Sequence, residues 1–408
     1  MEGSLPLIII LSYAALLFAC AAWAEGRGGQ RLKAHLRRPT YILALGVYCT
    51  SWTFYGAVGS AVADGWAYVP IYLGPILVFI LGRKFLVRMV EAVKADGANS
   101  ISEFIGGRFG SSRSVAALVT LLALLGAVPY IALQLKSLSS TYALVSGTQN
   151  SPLIPVCAAV LLAGWAMLYG TRRYEASARN EAVLFAAGFE SFFKLAALLA
   201  VAGFSLIFLL KAPPDVLARA QNTLATTFSP RAINVDFLII TLLSMAAIIA
   251  LPRQFYFMVI AAQSSRDVDQ ARWPFVFYMV ATLVVVVPLA TAGIALLPNT
   301  ARPDLYVLQL PMSEGAHVLA MIVFLGGFSA ATAMVLVETI ALSTMVSNDL
   351  VAPALLGRDG RDGPRNFGKL MLLVRRAAIA AIMVFALLWA LTIPDNQRLA
   401  SIGLVAFA

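Results

Sequence analysis

Charge is what this chain has least of. Asp, Glu, Lys and Arg make up 12% of its 408 residues, against about 25% in an ordinary soluble domain. Histidine occurs twice, at His35 and His317, too few and too isolated for a His-based metal centre or a catalytic relay. The three cysteines, Cys20, Cys49 and Cys157, all fall inside apolar runs. That excludes a disulfide framework and any thiolate spacing suited to a metal. No nucleophile and base stand at a working distance within the apolar runs, so an intramembrane enzyme finds no support. What fills the space is hydrocarbon: 60% of the residues are apolar and the mean hydropathy is +0.84. The composition is that of a polytopic membrane protein.

Apolar runs of about 20 residues, enough to cross ~30 Å of hydrocarbon, recur at 5–23, 41–63, 67–87, 115–145, 152–169, 182–210, 235–262, 273–298, 316–347 and 372–393. An eleventh begins at Leu399 and is read as cut short at Ala408. The first run has only Met1-Glu2-Gly3-Ser4 before it and no basic leader, so it is read as an uncleaved helix. With the N-terminus outside, 22 Lys and Arg fall in the inner loops 24–40, 83–114, 170–181, 263–272 and 348–376, and 5 fall in the outer loops. The positive-inside rule then fixes a multi-pass topology in a plasma membrane of the bacterial inner type. The net charge of +10 is thus a topology signal, and no nucleic acid is implied. Segment 357–369, GRDGRDGPRNFGK, is rich in Gly and charge and is read as a flexible linker. SISEFIGGRFG at 100–110 reads as a short amphipathic piece.

One run is unusual. Residues 41–65 are long enough to span a bilayer, yet Tyr48-Cys49-Thr50-Ser51-Trp52-Thr53 puts polar side chains at the midpoint. Such residues either line a site at a midplane break or pack helices by close approach and back-bonding. In the seventh run, Pro252-Arg253 marks a second interruption. Tyr130 and Gln134 are one turn apart and share a face, while Lys136 points elsewhere. Glu338 lies mid-span, where an acid must be paired, neutralised or hydrated. It is a proton-coupling candidate or the structural partner of a buried base such as Lys136, Lys194 or Arg253. Glu190 and Lys194 have the i,i+4 order that favours a helical ion pair.

These landmarks, with Gly82 to Phe85 (GRKF) and FSAATAMVLVETIALSTMVSNDL in the ninth run, occur in an order that resembles the sodium:solute symporter family over nearly the whole chain. Gly188-Phe189-Glu190-Ser191 with Lys194, and the stretch from Val337-Glu338-Thr339 to Ser347-Asn348-Asp349, are similar to a branch in which the transporter-like membrane half is joined to a sensor histidine kinase. The resemblance implies an all-α polytopic membrane protein with a five-plus-five inverted-repeat transporter fold and one extra N-terminal helix. Residues 1–408 would form a single transporter-like domain, incomplete in its eleventh span. Any kinase half, with its ATP and its cognate response regulator, would lie beyond Ala408.

In that family sodium is held by carbonyls of the broken first repeat helix and by a carbonyl and two hydroxyls of the eighth. Matching Trp52 to the family tryptophan places Gly46 and Cys49 at the first set. Anchoring on Asn348-Asp349-Leu350 places Ala330 at the remaining carbonyl and Ala333 and Met334 at the hydroxyls. Tyr48 stands where a carboxylate is usual, and a one-residue slip would bring Thr332 to just one hydroxyl position. The expectation is a degenerate sodium site, no cofactor, and transport that is uncoupled or proton-driven. The partners are the lipid bilayer and a small polar solute, an amino acid or carboxylate, bound by Trp52, Phe54, Tyr55, Tyr130, Gln134 and Arg253. A free-standing secondary symporter is the alternative.

Overall fold

The computed structural model describes residues 5–26, 30–148, 151–170, 181–230, 233–356, 367–394, 397–399 and 403. Among them helix is the regular structure, with no strand, as a bilayer requires of a backbone that must satisfy its own polar groups. The order is α1 (Leu5–Glu25), α2 (Gln30–Ala44), α3 (Ala57–Asp64), α4 (Val69–Leu81), α5 (Arg83–Asp96), α6 (Ile101–Arg108), α7 (Arg113–Ser146), α8 (Leu153–Gly170) and α9 (Glu181–Lys211). Then follow α10 (Pro214–Thr227), α11 (Val235–Ala250), α12 (Pro252–Phe255), α13 (Ser265–Val284), α14 (Val286–Leu296), α15 (Tyr306–Ser313), α16 (His317–Met345), α17 (Ala352–Leu356) and α18 (Phe367–Thr392).

Local sequence sets many of the boundaries. Ser100, Ser112 and Asn234 accept from the backbone amide three residues on and so start α6, α7 and α11. Ser264 and Asp267 form a capping box at α13. Gly97 and Gly147, with φ of 68° and 67°, end α5 and α7 in the left-handed conformation that lacks a Cβ penalty.

Among the described residues eight helical stretches are long and apolar enough to cross a membrane, and a ninth is the bent pair of α11 with residues 252–260. Run 41–63 is not a continuous helix, because it breaks at Cys49 and Thr50. α16 is the most deeply buried span; it packs on α9, α7, α18, α15 and α8, while α11 lies chiefly against α4. The amphipathic piece expected at 100–110 is α6, and it docks on the far end of α16. Ser102 and Thr120 both donate to Asp349, and Asn348 donates to Glu103 at 2.6 Å. Two motifs that were separate in the sequence thus form one polar clamp. Residues 357–366 of the expected linker and most of the expected eleventh span lie outside the described residues, and Phe367–Lys369 begin α18.

Candidate functional site at two helix breaks

The first break follows a 3₁₀ turn at Leu45–Tyr48. Cys49 is extended, with φ −78° and ψ 110°, and the chain resumes as a π turn at Trp52–Gly56 before α3. Loss of helical pairing there frees backbone groups that must find partners in a dry interior. They find them on neighbouring helices and within the segment itself. Lys194 of α9 donates to the Cys49 carbonyl. Gln134 Oε1 accepts from the Ser51 amide at 3.1 Å, Thr53 donates to the Thr50 carbonyl at 2.8 Å, and Tyr72 donates to the Thr53 carbonyl at 2.9 Å. Thr50 and Tyr130 hydroxyls are bonded at 2.8 Å. Gly46 is needed for close approach, since a Cβ there would lie 2.8 Å from the ring of Tyr278. The space that remains between Cys49, Thr53, Lys194, Tyr278 and Thr282 is about 10 Å³, at the lower limit for a single water.

The second break is built differently. Leu251 is extended, with φ −63° and ψ 129°, and Pro252 opens the next helical turn without needing an amide partner. The chain bends by 52°. Arg253 and Glu338, 1% and 0% exposed, form an ion pair with Nη1 to Oε2 at 2.9 Å. The guanidinium carbon of Arg253 is 5.0 Å from the centre of the Tyr130 ring, within cation–π range. Tyr130 therefore joins the breaks, by its hydroxyl to one and its ring to the other. Arg253 Nε, Glu338 Oε1 and both side-chain polar atoms of Gln254 are buried with no hydrogen-bond partner. Beside them lies a cavity of about 310 Å³ between α6, α7, α11 and the second break, ending at Tyr130, Arg253 and Glu338. Its volume is in the range of small-molecule sites.

The solute residues expected from the sequence divide between the two breaks. Tyr130 and Arg253 line the large cavity. Gln134 supports the first break, and Lys136 on another face of α7 donates to the Ile393 carbonyl at 2.9 Å. Phe54 and Tyr55 pack against each other and against Gly326 and Gly327 of α16, and Trp52 is covered by Gly403. Of the expected sodium positions, Gly46 and Cys49 lie at the first break, and Ala330, Ala333 and Met334 are buried in α16. Thr332 turns to α9 and donates to Glu190 at 2.6 Å. Glu338 is joined to Arg253, one of the three bases it could have paired with.

One sequence expectation is corrected. Glu190 and Lys194 do not pair along α9: Glu190 accepts from Thr332, while Lys194 reaches across to Cys49. The break turns the Cys49 carbonyl toward α9 within reach of the ammonium, while the Glu190 carboxylate is turned to the hydroxyl of Thr332 on α16. Sequence reading also missed Gln254, Tyr72 and Tyr278. Gln254 carried a signal, because an amide next to a Pro-marked break in an apolar run has no obvious helical use.

Apolar spans, two broken helices five runs apart, and a polar junction between them define an all-α polytopic membrane protein. In fold the chain is similar to a solved membrane protein. A solved structure described as the substrate-bound, outward-open state of a Na⁺-coupled sialic acid symporter, with a novel Na⁺ site, aligns over 98% of this chain and 85% of its own, with a TM-score of 0.70 and 13% identity. No family model and no curated protein matches the chain.

Proposed function

We propose that this chain is a membrane transporter domain that binds a small polar solute, an amino acid or a carboxylate, without sodium, and feeds a histidine kinase. The observation that carries the solute reading is the second break, where the buried Arg253–Glu338 pair stands at the end of a ligand-sized cavity. A thermal-shift screen of amino acids and carboxylates on the purified protein tests it, since a ligand stabilises in proportion to its occupancy. A panel with no stabilising member would remove the reading.

Sodium independence is supported by Lys194. Its ammonium already bonds the Cys49 carbonyl at the first break, and Ala333 and Met334 offer no hydroxyl from α16. A hard cation such as Na⁺ needs several oxygens, and a resident ammonium removes one and adds a repelling charge. Uptake into proteoliposomes is expected to be equal in sodium-free and sodium-containing buffer. A requirement for millimolar Na⁺ would overturn this part.

The kinase linkage rests on the sequence likeness around Glu190 and Ser347–Asp349. A reading frame continuing past codon 408 into a region that autophosphorylates from ATP in response to the solute, and passes phosphate to a response regulator, is the expected result. A frame that ends without such a region favours the free-standing symporter. The orientation, N-terminus outside a bacterial inner membrane, rests on the basic loops and is checked by reporter fusions at 97 and 315.

A further inference from the structure

We infer that the first two turns of α2 are a binding surface for an anionic phospholipid, its phosphate on Arg31 and Arg38 and its acyl chains along Leu32 and Leu36. This part of α2 has three faces. Lys33 and Arg37 point into the protein: Lys33 donates to the Gly26 carbonyl, and Arg37 donates to Glu181 at 3.0 Å and to the Ala261 carbonyl at 2.9 Å. Arg31, His35 and Arg38, four and three residues apart, share a second face and are all exposed. Leu32 and Leu36, one turn apart and 53% and 39% exposed, form the third face beside it. The inward cations are thus bonded, while Arg31, His35 and Arg38 make no hydrogen bond or ion pair among the described residues.

A tryptophan sets the depth of these faces. Trp23 of α1, 39% exposed, packs edge-on against Phe185 of α9 at 5.5 Å, and its ring centre is 5.2 Å from Lys33 Nζ. Exposed tryptophans at the ends of spans mark the membrane interface, and Phe185 lies one turn inside α9. The first turn of α2 is therefore held at headgroup level. A helix placed there buries its apolar face at the acyl boundary and turns its basic face to phosphate.

Charge chooses among the possible occupants. α2 contains no Asp or Glu, so no acid of its own helix competes for Arg31 and Arg38. A guanidinium meets a phosphate through parallel charge-assisted bonds. A phospholipid of net negative charge answers the basic and the apolar face together. A zwitterionic lipid carries its own ammonium beside the phosphate and gains less, and a free phosphate would leave Leu32 and Leu36 uncovered. Because α2 runs directly into the turn at Leu45–Tyr48, a lipid on its first turns would steady the helix that leads to the first break.

Titration of radiolabelled dioleoylphosphatidylglycerol into the purified full chain in dodecyl maltoside tests the surface, and saturable binding is expected. A basic residue beside an anionic lipid surface contributes a factor of about five, so Arg31→Gln/Arg38→Gln should weaken binding about 20-fold. Leu32→Gln/Leu36→Gln should weaken it about tenfold by removing apolar contact with the chains. Lys84→Gln/Arg88→Gln on α5 removes the same charge from exposed positions on the same side of the bundle, where Arg37 and Lys94 bond the adjacent carbonyls of Ala261 and Ala262, and should leave the affinity unchanged. All six altered side chains are exposed, so none of these variants disturbs the core. Equal loss in the two charge variants would mean general attraction to a basic surface and would overturn the site. Equal competition by dioleoylphosphatidylcholine would overturn the anionic class. Displacement by millimolar inorganic phosphate, or full affinity in Leu32→Gln/Leu36→Gln, would assign the face to a free anion and overturn the lipid.

Discussion

The two breaks solve the same problem in opposite ways. At the first, the freed groups of Cys49, Ser51 and Thr53 are bonded by Lys194, Gln134 and Tyr72 from three other helices, and the space left is about 10 Å³. At the second, Arg253, Gln254 and Glu338 keep buried polar atoms without partners, next to about 310 Å³ of space. A satisfied break is architecture. An unsatisfied one beside a cavity is where a ligand gains most, because the protein groups it bonds give up no partner of their own. The polar midpoint of run 41–65 therefore reads more as a closed hinge than as a pocket wall.

The largest effect that could break this contrast comes from splitting the ion pair. Arg253→Met strands Glu338 in an apolar interior and should cost about 3–5 kcal/mol, whereas Arg253→Met/Glu338→Met should regain most of that. Chemical denaturation in detergent micelles reads both. If the single variant were as stable as the double, the pair would not be the dry, isolated unit described here. Next is the packing around the first break. A Cβ on Gly327 would stand 1.9 Å from the Tyr55 hydroxyl, so Gly327→Ala should cost about 1–3 kcal/mol by overpacking. A neutral outcome would mean that α16 is free to move away from the break. Smaller again is Tyr72→Phe, which removes one bond to the Thr53 carbonyl and should cost about 1 kcal/mol. No loss there would show that the first break does not depend on the bond from Tyr72.

How much of this was legible in the sequence follows from the range of each interaction. Spans are local, and hydropathy marked each of those among the described residues, although runs 41–63 and 67–87 share the one helical stretch Trp52–Leu81. The breaks were also local: Pro252 announced the second, and the polar run Cys49 to Thr53 the first. Partners were not. Arg253 and Glu338 are 85 residues apart, and Lys194 is 145 residues from Cys49. No periodicity relates such positions, so Lys194 was assigned to its helical neighbour Glu190 by the only rule that operates at short range. The docking of Ser102 and Glu103 on Asn348-Asp349 escaped notice for the same reason, although both motifs were recognised singly.

The smallest effect lies at Asp304, outside the spans, just before α15 and against α3. One of its oxygens accepts from the Leu399 amide at 2.8 Å, while Oδ1 is buried without a partner against Gly59 of α3. Burial raises its carboxyl above the usual range, although the Leu399 amide, Arg302 and Arg398 pull it back. For an acid, a raised folded value means that the unfolded state releases the proton first. Folding therefore loses stability as pH rises from the unfolded value through the folded one, and the loss is complete above the folded value. Asp304→Asn keeps an acceptor for Leu399 and removes the charge. It should stabilise the protein at neutral pH, and the gain should shrink to nothing as pH falls below the ordinary carboxylate range. Melting temperatures of the two proteins measured across pH 4–8 decide it. A gain that grew on acidification would mean that the ionised carboxylate is held by its neighbours, and that the α3 side of the first break is as well satisfied as its centre.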